Sequence, residues 1–311
     1  MRIIGPDELV FGVDDLPASR QFLLDYGLAE AEWSATGGTF TALDNTAITI
    51  RARSDASLPK ELASKSTIRL TVYGVEDAET LEQIAAEMAK DRAVTRGDDG
   101  SVSFADNVGF ALKFQLTRRV KLEMEAELIN SPGAPPARGV NKLGAWQDAP
   151  AKPRTLSHIV YFTPDMPGME RFYVERLKFV ITDRFNGVGP FLRPQACRDH
   201  HTLFMLATPP YMQGMEHLAF HMQGPTDLLL AGSRMVKKGW ESFWGPGRHK
   251  LGSNWFWYFN CPLMTHFEYD ADMDLHDDTW VPREVDINAE GAQLFLFEHV
   301  EKWFPGAGPG H

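Results

Sequence analysis

Residues Glu241 to Asp274, ESFWGPGRHKLGSNWFWYFNCPLMTHFEYDADMD, concentrate side chains that could do chemistry. They hold a basic turn ending in His249, an aromatic run through Tyr258, a break at Cys261-Pro262 and a second extended run carrying Glu268. Successive residues of a strand face opposite sides, so His266, Glu268 and Asp270 share one face while Phe267 and Tyr269 take the other. A carboxylate set between aromatic flankers faces an interior and needs a partner, an Arg or a metal cation being the commonest. Two more candidate ligands occupy similar apolar strands, His158 in SHIVYF and His217 in MEHLAFHM. Two neutral imidazoles and one carboxylate on one face of an octahedron leave three adjacent positions open, the donor set of mononuclear non-haem Fe(II) oxygenases.

A single His in an apolar strand is more often a hydrogen-bonded core residue than a ligand. His276, His299 and His311 are read that way, as is His221, which shares a face with His217 but stands four residues, roughly 13 Å, along the same strand. Three ligand-type residues in three similar strands shift the balance towards a metal. All ten histidines lie from His158 onward, and the first half has none.

The elements that must position these residues come as a repeat. ELVFGVDDLPASRQFLLDYGL, from Glu8 to Leu28, reads as strand, turn and amphipathic helix, and SHIVYFTPDMPGMERFYVERLKF, from Ser157 to Phe179, repeats the plan. Sliding one on the other by 150 residues matches Asp15-Leu16-Pro17 to Asp165-Met166-Pro167 and Phe22 to Phe172. The chain therefore reads as α+β, two tandem domains of strand-helix-strand-strand-strand modules, over residues 1–130 and 156–311. A Pro-, Gly- and Ala-rich linker over residues 131–155 joins them. Helices are predicted near 77–90 and 226–238, and the tail after Asp277 is expected to pack on the second domain's surface. In the first copy Glu8, Arg69 and Lys113 stand at the positions of His158, His217 and Glu268. Fixed positive charges cannot ligate a cation, so that copy is expected to lack metal and to hold an ion cluster of these three instead.

Composition bounds the partners. The chain has 311 residues, 43% of them apolar, enough for two cores. A formal net charge of −11 and a pI near 5.4 argue against nucleic acid. No apolar run suits a bilayer, and the N-terminus MRIIGPDELV lacks an export pattern. Two cysteines, Cys197 and Cys261, make no disulfide framework, so a reducing cytoplasm is expected.

At this point the chain resembles the type I extradiol ring-cleavage dioxygenases of the vicinal oxygen chelate superfamily, over most of residues 1–280. The resemblance is carried by His158, His217 and Glu268, by His200-His201-Thr202-Leu203, by the turn Gly245-Pro246-Gly247-Arg248-His249, and by Tyr258, nine residues after His249 and ten before Glu268. It implies curled, barrel-like sheets, Fe(II) or Mn(II) on the three ligands, and meta cleavage of a catechol with both atoms of O2 inserted. His201 would exchange protons with the substrate, as an imidazole titrating near working pH can. His249 and Tyr258 would hydrogen-bond the bound phenolate. Phe191, Phe204, Trp240, Phe243 and Trp244 are expected near the pocket mouth, and His266 beside the substrate. The chain departs from the family in Gly252, where many members place an acidic residue, and in Cys261-Pro262-Leu263-Met264 before the strand of Glu268. A homo-oligomer is expected, without nucleic acid or membrane. The competing readings are a metal-dependent glyoxalase-type isomerase or lyase, and a non-enzymatic small-molecule-binding protein.

Overall fold

The computed structural model describes residues 1–297. Its first half runs β1 (Ile3–Val13), α1 (Leu16–Tyr26), β2 (Ala29–Ser34), β3 (Gly37–Thr41), β4 (Ala47–Ala52), β5 (Ile68–Val75), α2 (Ala78–Met88), β6 (Thr95–Arg96), β7 (Val102–Ala105) and β8 (Ala111–Leu116). The second half runs β9 (Thr155–Thr163), α3 (Met166–Arg171) extended by a π turn over Phe172–Arg176, β10 (Phe179–Asn186), β11 (Gly189–Pro194), β12 (Leu203–Ala207), β13 (Gly214–His221), α4 (Pro225–Lys237), β14 (Ser242–His249), β15 (Trp255–Asn260), β16 (His266–Ala271), β17 (Arg283–Asp286), α5 (Ala289–Ala292) and β18 (Gln293–Leu296).

Each half forms one mixed sheet from two βαβββ modules, as the repeat predicts. The first has the order β2-β3-β4-β1-β5-β8-β7-β6, the second β17-β10-β11-β12-β9-β13-β16-β15-β14-β18. In both, the first strands of the two modules pair antiparallel at the centre, β1 with β5 and β9 with β13, and each pairs parallel with the last strand of its own module. The matched Asp-x-Pro sequences start matching helices. Asp15 accepts from the Ala18 N–H at 2.9 Å and Asp165 from the Gly168 N–H at 3.0 Å, each with a Pro in the first turn.

One apolar core runs through both halves. The helix α1 of the first half packs on the back of the second sheet. Phe22 lies edge-on to Phe267 at 5.1 Å, and Tyr26 stacks on Tyr269 at 4.1 Å. The two tyrosines also exchange hydrogen bonds with backbone, Tyr26 donating to the Glu268 carbonyl at 2.5 Å and Tyr269 to the Tyr26 carbonyl at 2.7 Å. Trp240, expected at the pocket mouth, belongs to this contact instead. Its ring meets Phe22 at 4.9 Å and its N–H donates to Asp25 at 3.0 Å, because the turn that follows α4 faces α1.

The expected ion cluster of the first half does not form. Glu8 accepts from the Thr49 hydroxyl at 2.6 Å, Lys113 pairs with Asp99 at 3.1 Å, and Arg69 donates to the carbonyls of Pro59 and Arg53. Strand register explains it. Glu8 stands opposite Val72, which pairs with Lys113, and Val10 stands opposite Leu70. In the second sheet His158 stands opposite Ala219, which pairs with Glu268, and Val160 stands opposite His217. The counterpart of His217 is therefore Leu70, while Arg69 falls in a register shift between Ile68 and Leu70 and matches Glu216, its guanidinium lying over Gly12 and bound to loop carbonyls.

The tail is more than a surface layer. Its β17 extends one edge of the second sheet beside β10, and β18 extends the other beside β14. His299 and His311 lie outside the described residues. No helix among the described residues is long and apolar enough to cross a membrane.

Candidate metal centre and its cavity

Three adjacent central strands, β9, β13 and β16, carry His158, His217 and Glu268 on one face. All three are buried, at 2%, 8% and 0% exposure. The Nε2 atoms of the two imidazoles lie 3.3 Å apart, and Glu268 Oε2 lies 3.0 Å from His158 Nε2 and 3.4 Å from His217 Nε2. This triangle fits a cation. Ligand bonds of about 2.1 Å place donors roughly 3.0 Å apart at right angles and roughly 3.4 Å apart at tetrahedral ones. Neither Glu268 oxygen makes a well-formed hydrogen bond, although the carboxylate is fully buried. An uncompensated buried carboxylate is costly, and a metal at the centre of the triangle would remove that cost. Burial alone would raise the Glu268 pKa, yet His158, His249 and His217 together hold it below its ordinary value. Burial likewise opposes protonation of His158, but Glu268 and Asp270 lift it to about 9.

A second layer holds the ligands. Asp270, two residues beyond Glu268 on the same face, approaches His158 Nδ1 at 3.4 Å, accepts from the Ser157 hydroxyl at 2.9 Å and meets His221 Nδ1 at 2.6 Å. His221 thus serves this layer and stands apart from the triangle. On the other side, Glu216 contacts His217 Nδ1 and sits 2.9 Å from His266 Nδ1. Carboxylates behind metal-type histidines fix the ring orientation and raise the basicity of the ligating nitrogen. Strict alternation would turn Glu216 away from His217. A β-bulge between Met215 and His217 brings both residues to the cavity side, which sequence periodicity could not show. Asp270, by contrast, was legible as a face-mate of Glu268.

The triangle opens into a cavity of about 250 Å³. Its wall is mostly apolar and includes Val160, Phe185, Phe191, Phe204, Phe243 and Trp244. Phe191 and Phe204 stack on each other at 4.0 Å. No Lys or Arg lines it among the described residues. The tail contributes Ile287 and Ala292 to this wall, a role that no local pattern announced. His266 is not part of the wall. Its ring stacks on Phe243 at 3.8 Å and its Nδ1 is taken by Glu216, so it supports the wall from behind.

His201, His249 and Tyr258 all reach the cavity. They come from opposite flanks of the triad strands, His201 from the approach to β12, and His249 and Tyr258 from β14 and β15. The Ala292 carbonyl lies 3.0 Å from His249 Nδ1 and can only accept, so that nitrogen carries the proton. The neutral ring then accepts at Nε2 from the Tyr258 hydroxyl, 3.1 Å away. The support that an acidic residue at position 252 would offer His249 is thus supplied by a tail carbonyl. Gly252 itself has φ +82°, and a Cβ there would lie 2.9 Å from His200 Nδ1. Burial, reinforced by Glu268 and Glu216, pushes the Tyr258 pKa well up, so the residue remains a phenol.

Comparison with known proteins agrees with this architecture. Residues 155–267 match the model of the Glyoxalase/Bleomycin resistance protein/Dioxygenase superfamily. The chain is 31% identical over 180 residues to Metapyrocatechase 2 of Cupriavidus necator, a match covering 57% of this chain. It spans only about half, 54%, of that relative. Among solved structures, a halotolerant catechol dioxygenase superposes with a TM-score of 0.73 at 17% identity, covering 96% of this chain and 95% of its own. The Mn(II)-bound glyoxalase of Novosphingobium aromaticivorans gives 0.72 at 21% identity, with 94% and 90% covered. Homoprotocatechuate 2,3-dioxygenase of Arthrobacter globiformis gives 0.70 at 18%, with 94% and 87% covered. At these identities the superpositions establish the fold, which ring-cleaving enzymes and a glyoxalase share. The stretch from residue 155 to 267, which carries His158 and His217 and ends one residue before Glu268, is thus similar to the Glyoxalase/Bleomycin resistance protein/Dioxygenase superfamily.

Proposed function

We propose that the protein is an extradiol dioxygenase, cleaving a catechol ring beside its two hydroxyls and inserting both atoms of O2. The observation that carries this reading is the set of groups around the triangle. One flank presents a neutral imidazole, His201, and the other a paired imidazole and phenol, His249 and Tyr258, all facing one cavity. When bound by His158, His217 and Glu268, Fe(II) or Mn(II) supplies Lewis acidity towards both catechol oxygens and an electron path to O2. His201 takes the proton from one hydroxyl and returns one as the ring opens. On substrate binding the Tyr258 hydroxyl turns its single hydrogen from His249 Nε2 towards the substrate oxygen on its side. Phe191, Phe204, Phe243 and Trp244 exclude water and hold the aromatic ring.

With an apolar wall lacking Lys and Arg, the cavity suits a catechol with an uncharged alkyl or aryl substituent. In this reading residues 1–130 form a domain without metal, 131–155 a linker and 156–311 the catalytic domain, acting as a homo-oligomer in the cytoplasm on a small molecule.

The test is oxygen uptake by protein loaded anaerobically with Fe(II), or with Mn(II), on catechol, 3- and 4-substituted catechols and 2,3-dihydroxybiphenyl. Uptake with a yellow ring-opened product is expected, strongest on the substituted substrates and abolished by His217→Ala. Tight metal binding with no uptake on any catechol would overturn the reading in favour of a redox-silent isomerase.

A further inference from the structure

A buried chain of three side chains runs from the edge of the second sheet to the cavity, and its geometry leaves one consistent placement of protons. It starts at Asp183 on β10, whose side chain is fully buried. Asp183 Oδ1 accepts from the Arg283 backbone N–H at 2.8 Å and from its Nε at 3.1 Å, and Oδ2 accepts from Arg283 Nη2 at 2.6 Å. A carboxylate so surrounded by donors is ionised and can only accept. His200 Nε2 lies 2.8 Å from Oδ2 and must therefore carry its hydrogen. His200 is itself completely buried, and its Nδ1 lies 2.9 Å from His201 Nδ1. In a neutral His200 that Nδ1 is a lone pair, so the hydrogen between the rings belongs to His201.

We propose that Asp183 and His200 are positioning residues that fix the hydrogen of His201 at Nδ1, leaving its Nε2 as a bare acceptor on the cavity side. The catalytic consequence rests on the function proposed above; the proton placement stands on the hydrogen bonds alone. The shifts agree with it. Burial lowers the pKa of His200, with Asp183 only partly offsetting it. Asp183, despite burial, is held down to about 2 by His200 and Arg283. Gly252 belongs to the same device. Any side chain there would crowd His200 Nδ1, the atom that receives the His201 hydrogen. The His201 ring is further held by Phe191, edge-on at 5.0 Å. When His201 takes a substrate proton at Nε2 it becomes an imidazolium, which donates through Nδ1 to His200 and is backed by the Asp183 carboxylate. Arg283, on the tail strand β17, ties the outer end of the chain to the sheet.

The decisive measurement is 15N NMR of metal-free protein labelled with 15N-histidine, in which ring nitrogen shifts report each tautomer and His201→Gln assigns the signal. The expected result is Nδ1–H for His201 in the wild type. His200→Phe removes the acceptor and should return His201 to Nε2–H, and Asp183→Asn should give a mixture. In the metal-loaded enzyme both variants should retain the metal and KM while kcat falls at least about 10-fold, part of the roughly 100-fold or more that a positioned general base contributes. Nε2–H in the wild type, or Nδ1–H surviving in both variants, would overturn the proposal. The readout needs no turnover. Failure of the wild type to cleave any catechol would remove the dioxygenase reading with the tautomer result intact, whereas a wild type that cleaves alongside variants of unchanged tautomer and kcat would remove only the relay.

Discussion

The two halves of the molecule place different side chains on the equivalent row of two similar sheets. Across the first sheet the row reads Glu8, Val72, Lys113, and across the second it reads His158, Ala219, Glu268. Two residues back along the middle strand stand Leu70 and His217. The first row disperses, Glu8 to a threonine on β4 and Lys113 to Asp99 near β7. In the second, three donor atoms converge within 3.4 Å of one another. The backbone therefore offers the same place twice, and side-chain identity decides whether a cation can be held there: an ammonium and a leucine supply no lone pair at the points where a carboxylate and an imidazole do. The first half contributes in another way. Its α1 presses Phe22 and Tyr26 onto the back of β16, and Tyr26 bonds the carbonyl of Glu268 itself. One residue thus faces the cavity with its side chain while its backbone is held from the other half.

This contrast can be broken at its strongest point by Glu268→Gln, which keeps the shape and removes the charge. The variant should lose nearly all metal after anaerobic loading and desalting, as read by elemental analysis. A full retained equivalent would mean that the triangle is not the site. A more exacting trial builds the missing site in the first half with Glu8→His, Leu70→His and Lys113→Glu together. Metal stoichiometry should rise above that of the wild type, with weaker affinity for the added ion because no counterparts of Asp270 and Glu216 stand behind the new ligands. The matched set with Arg69→His in place of Leu70→His should add none, since residue 69 occupies the shifted position that Glu216 holds in the second sheet, outside the ligand row. The reverse outcome would show that the halves are registered differently. The smallest expected effect is that of Tyr26→Phe, which deletes one buried hydrogen bond between the halves and leaves the Glu268 carbonyl without that donor. It should cost about 1–2 kcal/mol in denaturant unfolding with the metal site still loaded. No measurable loss would mean that this hydrogen bond adds nothing to the contact between the halves.

Read from the sequence alone, the chain discloses its repeat, its two βαβββ pairs, the matched Asp-x-Pro turns at Asp15 and Asp165 and the candidate ligands. These depend on short-range physics: alternation along a strand, the turn chemistry of Asp-x-Pro, and a donor set that few other arrangements require. His158 and Glu268 were legible because each lies in an apolar strand whose period states its face, and His217 because it is a ligand-type residue in a similar apolar strand. Other features were settled by partners distant in the chain. Leu70, not Arg69, matches His217 because pairing with β1, with its shift at residue 69, sets the register of β5. Glu216 joins the cavity through a bulge that no composition marks. Trp240 turns to α1 because the halves share one core. Asp183 and the tail carbonyl of Ala292 reach His200 and His249 across strands far apart in sequence. A linear chain states which side chains exist and which way a strand would present them, and only the folded sheets decide which of them meet, because those meetings are fixed by register and packing between segments with no local relation.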